Sequence, residues 1–170
     1  IAKGQIVREI DALGGYSGIV TDKSMIQFRM LNRSKGPAMW SPRAQCDRMM
    51  FTQEWREMLE KTDNLDFWQD MVVGLILNKG KIEGVKTQVG VEFKARQVIL
   101  TNGTFNNGLI HVGRKQQEGG RMGEPRSFGI SEQLEENGFE VGRMKTGTPA
   151  RIDGRTIDFD KLEEQKGDEG

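Results

Sequence analysis

Cysteine and histidine are almost missing from these 170 residues, Cys46 and His111 being the single representative of each. One thiol makes neither an internal disulfide nor a thiolate cage, which fits a reducing compartment. One imidazole excludes metal catalysis built on two or three histidines within this stretch. Net charge is absent too: 25 Lys plus Arg balance 25 Asp plus Glu, so no global field draws in nucleic acid or a membrane surface. A polyanion would have to be held by local patches. No apolar run approaches the ~20 residues of a bilayer-spanning helix and no charged-then-apolar leader is present, which points to a soluble, cytosolic chain without a membrane partner. An initiating methionine is lacking as well. The chain starts at Ile1 and stops at Gly170 within a polar stretch, so the natural protein is expected to be longer.

What is there suits one loop-rich globular domain. The length supports a single core, and the 22 glycines are scattered at turn-like places without a period. Ile6, Val7, Ile10 and Leu13 follow the three-and-four spacing of a helix that Gly14-Gly15 ends. Ile26, Phe28 and Met30 alternate as in a short strand within an otherwise mixed stretch. Asn32-Arg33-Ser34-Lys35-Gly36-Pro37 reads as a turn with two cations. Pro42 then sits where a helix can begin without losing a hydrogen bond, and a helix is expected over about residues 43–61, with Phe51, Trp55, Met58 and Leu59 on one face and Met50 beside it.

Three partly β-branched runs, residues 71–77, 82–87 and 89–100, are separated by Asn78-Lys79-Gly80-Lys81 and a turn at Gly90, and read as an antiparallel meander. The last run becomes continuously apolar at Val98-Ile99-Leu100, as in a strand buried on both faces of a parallel sheet. Beyond residue 101 the chain turns irregular and glycine-rich. A short helix is expected over residues 131–137 with Ser131 as N-cap and Leu134 inward, followed by a strand at 139–141. Residues 156–170 carry six acids against two lysines and read as a solvated segment or a helix around Lys161.

Chemistry is suggested first by the end of the apolar run, Leu100-Thr101-Asn102-Gly103-Thr104. A buried strand closing in a small polar residue and a glycine lets the backbone approach a flat or phosphorylated ligand at the carboxyl edge of a sheet; an ordinary glycine turn is the plainer reading. Two glycine-basic runs follow, residues 119–127 and 142–153. The second holds Arg143, Lys145 and Arg151, with Arg155 just beyond, against Asp153. Such a patch suits the phosphates of a nucleic acid or a cofactor, or is a solvated loop with paired charges.

Four stretches carry a resemblance in matching order: residues 3–15 (Lys3-Gly4-Gln5 through Leu13-Gly14-Gly15), residues 26–38 (ending Asn32-Arg33-Ser34-Lys35-Gly36-Pro37-Ala38), Arg43-Ala44-Gln45 with Asp47-Arg48, and residues 98–105 together with the two glycine-basic runs. In these the chain resembles the MnmG (GidA) family over almost its whole length. The resemblance implies an α/β fold, part of a glutathione-reductase-like, two-dinucleotide-binding FAD domain with an antiparallel β-meander. It places a partial FAD-binding domain at residues 1–155, with the meander at 71–100, and the start of an insertion segment at 156–170. It implies FAD-dependent modification of carbon 5 of the wobble uridine in tRNA, forming an aminomethyl or carboxymethylaminomethyl group together with an MnmE-type GTPase. NADH is the implied reductant, methylene-tetrahydrofolate the one-carbon donor, and the implied enzyme a cytoplasmic homodimer.

Carried over by position, Val72 meets the adenine side of FAD through its backbone, Ser127 is another FAD contact, and Thr101, Gly103 and Thr104 pass the cofactor. Arg143, Lys145 and Arg151 are the candidate tRNA contacts. No catalytic residue and no metal ligand is assigned. The family's glycine-rich pyrophosphate loop and one reactive cysteine would precede Ile1 and the other cysteine would follow Gly170, so this stretch alone is expected to be inactive. Cys46 matches neither cysteine and reads as a packing or surface residue on the long helix. His111 is either near the flavin edge or a hydrogen-bonded structural residue, and Trp40 either stacks on a base or anchors a loop. Two other classes stay open: a generic FAD/NADH oxidoreductase that never meets RNA, and a non-catalytic binding module.

Overall fold

Val7 carries the inward face of α1 (Lys3–Ala12), and the helix stops where Gly14 turns left-handed at φ 88° and Gly15 N–H returns to the Ile10 carbonyl. The computed structural model describes residues 3–147, 149–150 and 152–168. They form two units, residues 1–67 with 150–170 and residues 68–149. Among the described residues no helix is long and apolar enough to cross a membrane.

In the first unit a short helix, α2 (Ser17–Ser24), precedes the expected strand. Only Ile19 and Val20 are apolar along it, so periodicity cannot reveal it. It forms because Val20 is fully buried and the buried Ser24 hydroxyl returns to the Val20 carbonyl at 2.8 Å. Strand β1 (Met25–Leu31) pairs antiparallel with β2 (Ser41–Cys46), Met30 facing Pro42 and Phe28 facing Ala44.

Here the expectation of a helix beginning at Pro42 fails: residues 41–46 are extended. The Met30 N–H leaves the ladder for Asp168 Oδ2 (2.7 Å), so Met30 and Pro42 occupy a position without mutual hydrogen bonds. The missing N–H of Pro42 therefore costs the sheet nothing. The helix starts later, as α3 (Arg48–Glu60), because Asp47 caps it by accepting from the N–H groups of Met49 and Met50 (2.8 and 2.9 Å). Phe51, Trp55, Met58 and Leu59 are half-buried as expected, while Met50 is exposed. Cys46 consequently ends a strand and does not sit on the helix. Residues 32–40 fold into two 3-10 turns closed by the Trp40 indole N–H donating to the Arg33 carbonyl, so Trp40 anchors this loop.

Residues 156–168 are mostly exposed, as the solvated reading expects, with a 3-10 turn, Phe159–Lys161, in place of a helix around Lys161. The far end of this segment is tied to β1: Asp168 N–H donates to the Phe28 carbonyl and its carboxylate pairs with Arg33 at 2.9 Å.

In the second unit the meander forms as expected in its first two strands, with the third far shorter than the run 89–100: β3 (Val72–Asn78), β4 (Lys81–Thr87) and β5 (Glu92–Lys94), in the order β3-β4-β5 and antiparallel throughout. Lys79 and Gly80, at φ 49° and 76°, supply the left-handed pair that a two-residue hairpin turn requires. The parallel-sheet strand at Val98-Ile99-Leu100 is absent. Residues 97–102 pair with no strand among the described residues, and Ile99 is 86% exposed. A strand buried on two faces needs a partner on either side, and β5 ends at Lys94.

The glycine-rich stretch holds a hairpin that the sequence did not announce, β6 (Leu109–Val112) with β7 (Lys115–Glu118); an all-polar Lys-Gln-Gln-Glu strand shows no alternation to read. Helix α4 (Ile130–Glu136) is capped at Gly129, not Ser131. Gly129 N–H donates to Glu132 Oε2 (2.9 Å), and the buried anchor is Ile130. No strand forms at residues 139–141, and Phe139 is exposed. Val20 and Ile130 are the fully buried apolar side chains among the described residues, a thin core for this length.

Candidate functional site

Val72 opens β3, and the hydrogen bonding around it fixes where its backbone points. Gln88 N–H donates to the Met71 carbonyl at 2.8 Å while Val72 itself faces Thr87. In an antiparallel ladder that pattern marks Val72 as a residue whose own N–H and C=O turn away from the partner strand. Since β3 is the edge of its sheet, this donor–acceptor pair faces outward. Asp70 and Thr87 hold the position. Asp70 Oδ1 accepts from Met71 N–H (2.7 Å), and Oδ2 is enclosed. The buried Thr87 hydroxyl, with the Met71 N–H, holds the carboxyl below its usual range against the opposing effect of burial.

Ser127 reaches the same edge through Gly129, which at φ 96° lies so close to the Val73 carbonyl that a Cβ has no room there. Ser127 is buried and locks its own segment to the 105–107 loop through three hydrogen bonds. Its N–H donates to the Phe105 carbonyl (2.9 Å), its carbonyl accepts from Asn107 N–H (2.8 Å), and its hydroxyl donates to Asn106 Oδ1 (3.0 Å). Asn106 Oδ1 also accepts from the Asn102 side chain at 3.0 Å. Asn107, at φ 47°, sends its side-chain amide to Glu132 (2.8 Å), and that bond is the main reason the Glu132 carboxyl lies below its ordinary value.

Thr101, Gly103 and Thr104 lie on the exposed rim of this assembly, not in an interior cleft as their place after a buried strand suggested. The Thr104 hydroxyl donates to the Gly120 carbonyl (2.6 Å), and Gly103 turns at φ 58°. Among the described residues nothing accepts from the backbone N–H groups of residues 101–104. Exposed amides around a left-handed glycine are the arrangement that takes up phosphate or other anionic oxygen. The links the structure shows run from Phe105, next to Thr104, to Ser127 N–H and from Gly129 to the Val73 carbonyl, while Thr101, Gly103 and Thr104 themselves stay exposed.

The cationic runs are partly spent on the protein itself. Both terminal nitrogens of Arg143 donate to the Asn107 carbonyl (3.2 Å each), tying the 142–147 stretch to the same loop cluster. Lys145 is exposed. Arg151 lies outside the described residues. Arg155 is paired with Asp153 at 2.6 Å, Arg121 with Glu124 at 2.6 Å and Arg126 with Glu118 at 2.9 Å. His111 is exposed on β6 opposite Gln116, and its ring makes no hydrogen bond among the described residues. Sequence reasoning missed Asp70, Asn106, Glu132 and Gln133. The cluster Asn102, Asn106 and Asn107 was a usable sign of side-chain-built turns; a glutamine on a short polar helix offered none.

Comparison with known proteins adds the family. The profile described as Glucose inhibited division protein A matches residues 1–170. The chain is 67% identical over 168 residues to the "tRNA uridine 5-carboxymethylaminomethyl modification enzyme MnmG" of Flavobacterium johnsoniae, and 66% identical over 169 residues to the protein of that name from Cytophaga hutchinsonii. In both cases 99% of this chain and 27% of the relative are covered. The crystal structure of Aquifex aeolicus GidA superposes with a TM-score of 0.88 at 49% identity, over 99% of this chain and 28% of that one. This chain thus spans about a quarter of the length of the relatives it matches, and its mixed α/β fold with antiparallel sheets is that of GidA. Matched from end to end in sequence and in backbone, the chain belongs to the Glucose inhibited division protein A family.

Proposed function

We propose that this chain is a segment of a longer FAD-dependent enzyme that modifies carbon 5 of the wobble uridine in tRNA, forming an aminomethyl or carboxymethylaminomethyl group. The observation that carries the reading is the match over 99% of the chain, at two-thirds identity, to proteins named for that modification. The geometry supports the cofactor. A nucleobase edge that presents one acceptor beside one donor is complementary to the outward N–H and C=O of Val72, and the free amides of residues 101–104 suit the polar linkage of a dinucleotide. The residues fit the adenine half of FAD. In this reading Val72 orients the base, Ser127 and Asn106 keep the 102–108 loop against β3, and Thr101, Gly103 and Thr104 line the passage. When bound, the flavin supplies the hydride-transfer chemistry.

NADH as reductant, methylene-tetrahydrofolate as carbon donor, an MnmE-type GTPase as partner, a homodimer and a cytoplasmic setting belong to the same proposal, as do Lys145, Arg151 and the exposed part of Arg143 as tRNA contacts. The thin core and exposed Ile99 agree with a segment whose remaining packing comes from the rest of the protein. Nucleoside analysis of bulk tRNA tests the reading. Deleting the gene is expected to abolish the 5-carboxymethylaminomethyl-type uridine, and the full-length wild-type protein to restore it. Unchanged levels after deletion would refute the assignment.

A further inference from the structure

Helix α4 meets the edge of β3 through one side chain. Gln133 Oε1 accepts from Leu75 N–H (2.5 Å) and Gln133 Nε2 donates to the Leu75 carbonyl (3.3 Å). A side-chain amide has the donor and acceptor of a peptide group, so Gln133 stands in for a neighbouring strand at a single residue. Its reach is set by the buried Ile130 and by Glu132, which binds Gly129 N–H and the Asn107 side chain. Between the outward pairs at Val72 and Leu75 the ladder to β4 shifts register, Val72 facing Thr87 and Gly74 facing Lys86. An irregularity of that kind re-aims the groups beside it and moves easily unless it is pinned.

We propose that Gln133 is a positioning residue for the adenine end of the cofactor, an inference that rests on the flavin reading above. By taking up the Leu75 pair it pins the register shift and leaves Val72 as the open pair at this end of β3. A ligand edge reaching the strand is then registered on Val72 and not on Leu75. Gln133 touches no ligand and acts through the backbone. The same contact blunts an edge strand that would otherwise invite pairing with another chain.

The test uses the full-length protein stripped of flavin and titrated with FAD. Gln133→Met keeps the length and helix preference of the side chain and removes both bonds; it is expected to weaken FAD binding about tenfold. Gln133→Ala, a second variant in case the first does not fold, is expected to do the same. The discriminating readout is the combination with Val72→Pro, which removes the outward donor. If Gln133 acts through Val72, the double variant binds FAD no worse than Val72→Pro alone, whereas a general structural role makes the two losses multiply. An affinity within twofold of wild type in both Gln133 variants, or multiplying losses, overturns the proposal while the flavin reading stands. Wild-type protein that takes up no FAD overturns both.

Discussion

Val72→Pro in the full-length protein is expected to weaken FAD binding roughly thirtyfold, about 2 kcal/mol, while Val72→Ala stays within about twofold of wild type. The contrast follows from which atoms are used. Proline removes the N–H that faces outward from β3 and leaves the ladder to β4 intact, because that N–H takes no part in it. Edge positions of this kind are where sheets accept proline. The base then keeps a buried nitrogen without a donor, which costs more than the net value of a solvent-exchanged hydrogen bond. Alanine changes only a half-buried side chain and retains both backbone groups. Titration of the flavin-free protein reads the difference. Equal affinities for the two variants would mean that the β3 edge is not where the adenine lies.

A still larger effect is expected at Ile99. Here this residue is 86% exposed, in a run with the β-branched, continuously apolar character of an interior strand. If the rest of the protein supplies strands on either side of residues 98–100, Ile99→Asp buries an unpaired carboxylate in the full-length enzyme. It should cost about 4 kcal/mol or prevent folding altogether. A residue that stays as exposed as it is here would tolerate aspartate within about 0.5 kcal/mol. Thermal unfolding of the full-length variant separates the two, a lowering of several degrees supporting an interior strand and an unchanged midpoint excluding it.

How far the chain could be read from its residues follows from where the information lies. The meander was visible because β-branched runs and the Lys79-Gly80 turn act locally, and α1 because Gly14-Gly15 ends it. Helix α2 was hidden because it owes its existence to the burial of Val20 and Ser24, a tertiary fact. The start of α3 was misplaced because proline at position 42 serves equally well as a first helical residue or as an edge-strand residue. The tie from Met30 to Asp168, 138 residues away, and the Asp47 cap together decide between them. At the site, Val72, Thr104 and Ser127 were named through family resemblance, which says nothing of how each is held. What no motif contained is the machinery around them: the Ser127–Asn106 lock, the Asp70 bond to Met71 N–H and the Gln133 contact with Leu75. These are single polar residues whose meaning comes from what they meet across the fold. Arg143 was read as part of a patch for phosphates or of a loop with paired charges, and its engagement by the Asn107 carbonyl is a pairing that spacing along the chain cannot disclose.

The most direct test is a crystal structure of the full-length protein with FAD bound. The adenine edge is expected against Val72 N–H and C=O, with Gln133 still on Leu75. An adenine bound elsewhere, or a Val72 N–H taken up by another strand, would contradict the assignment of this edge.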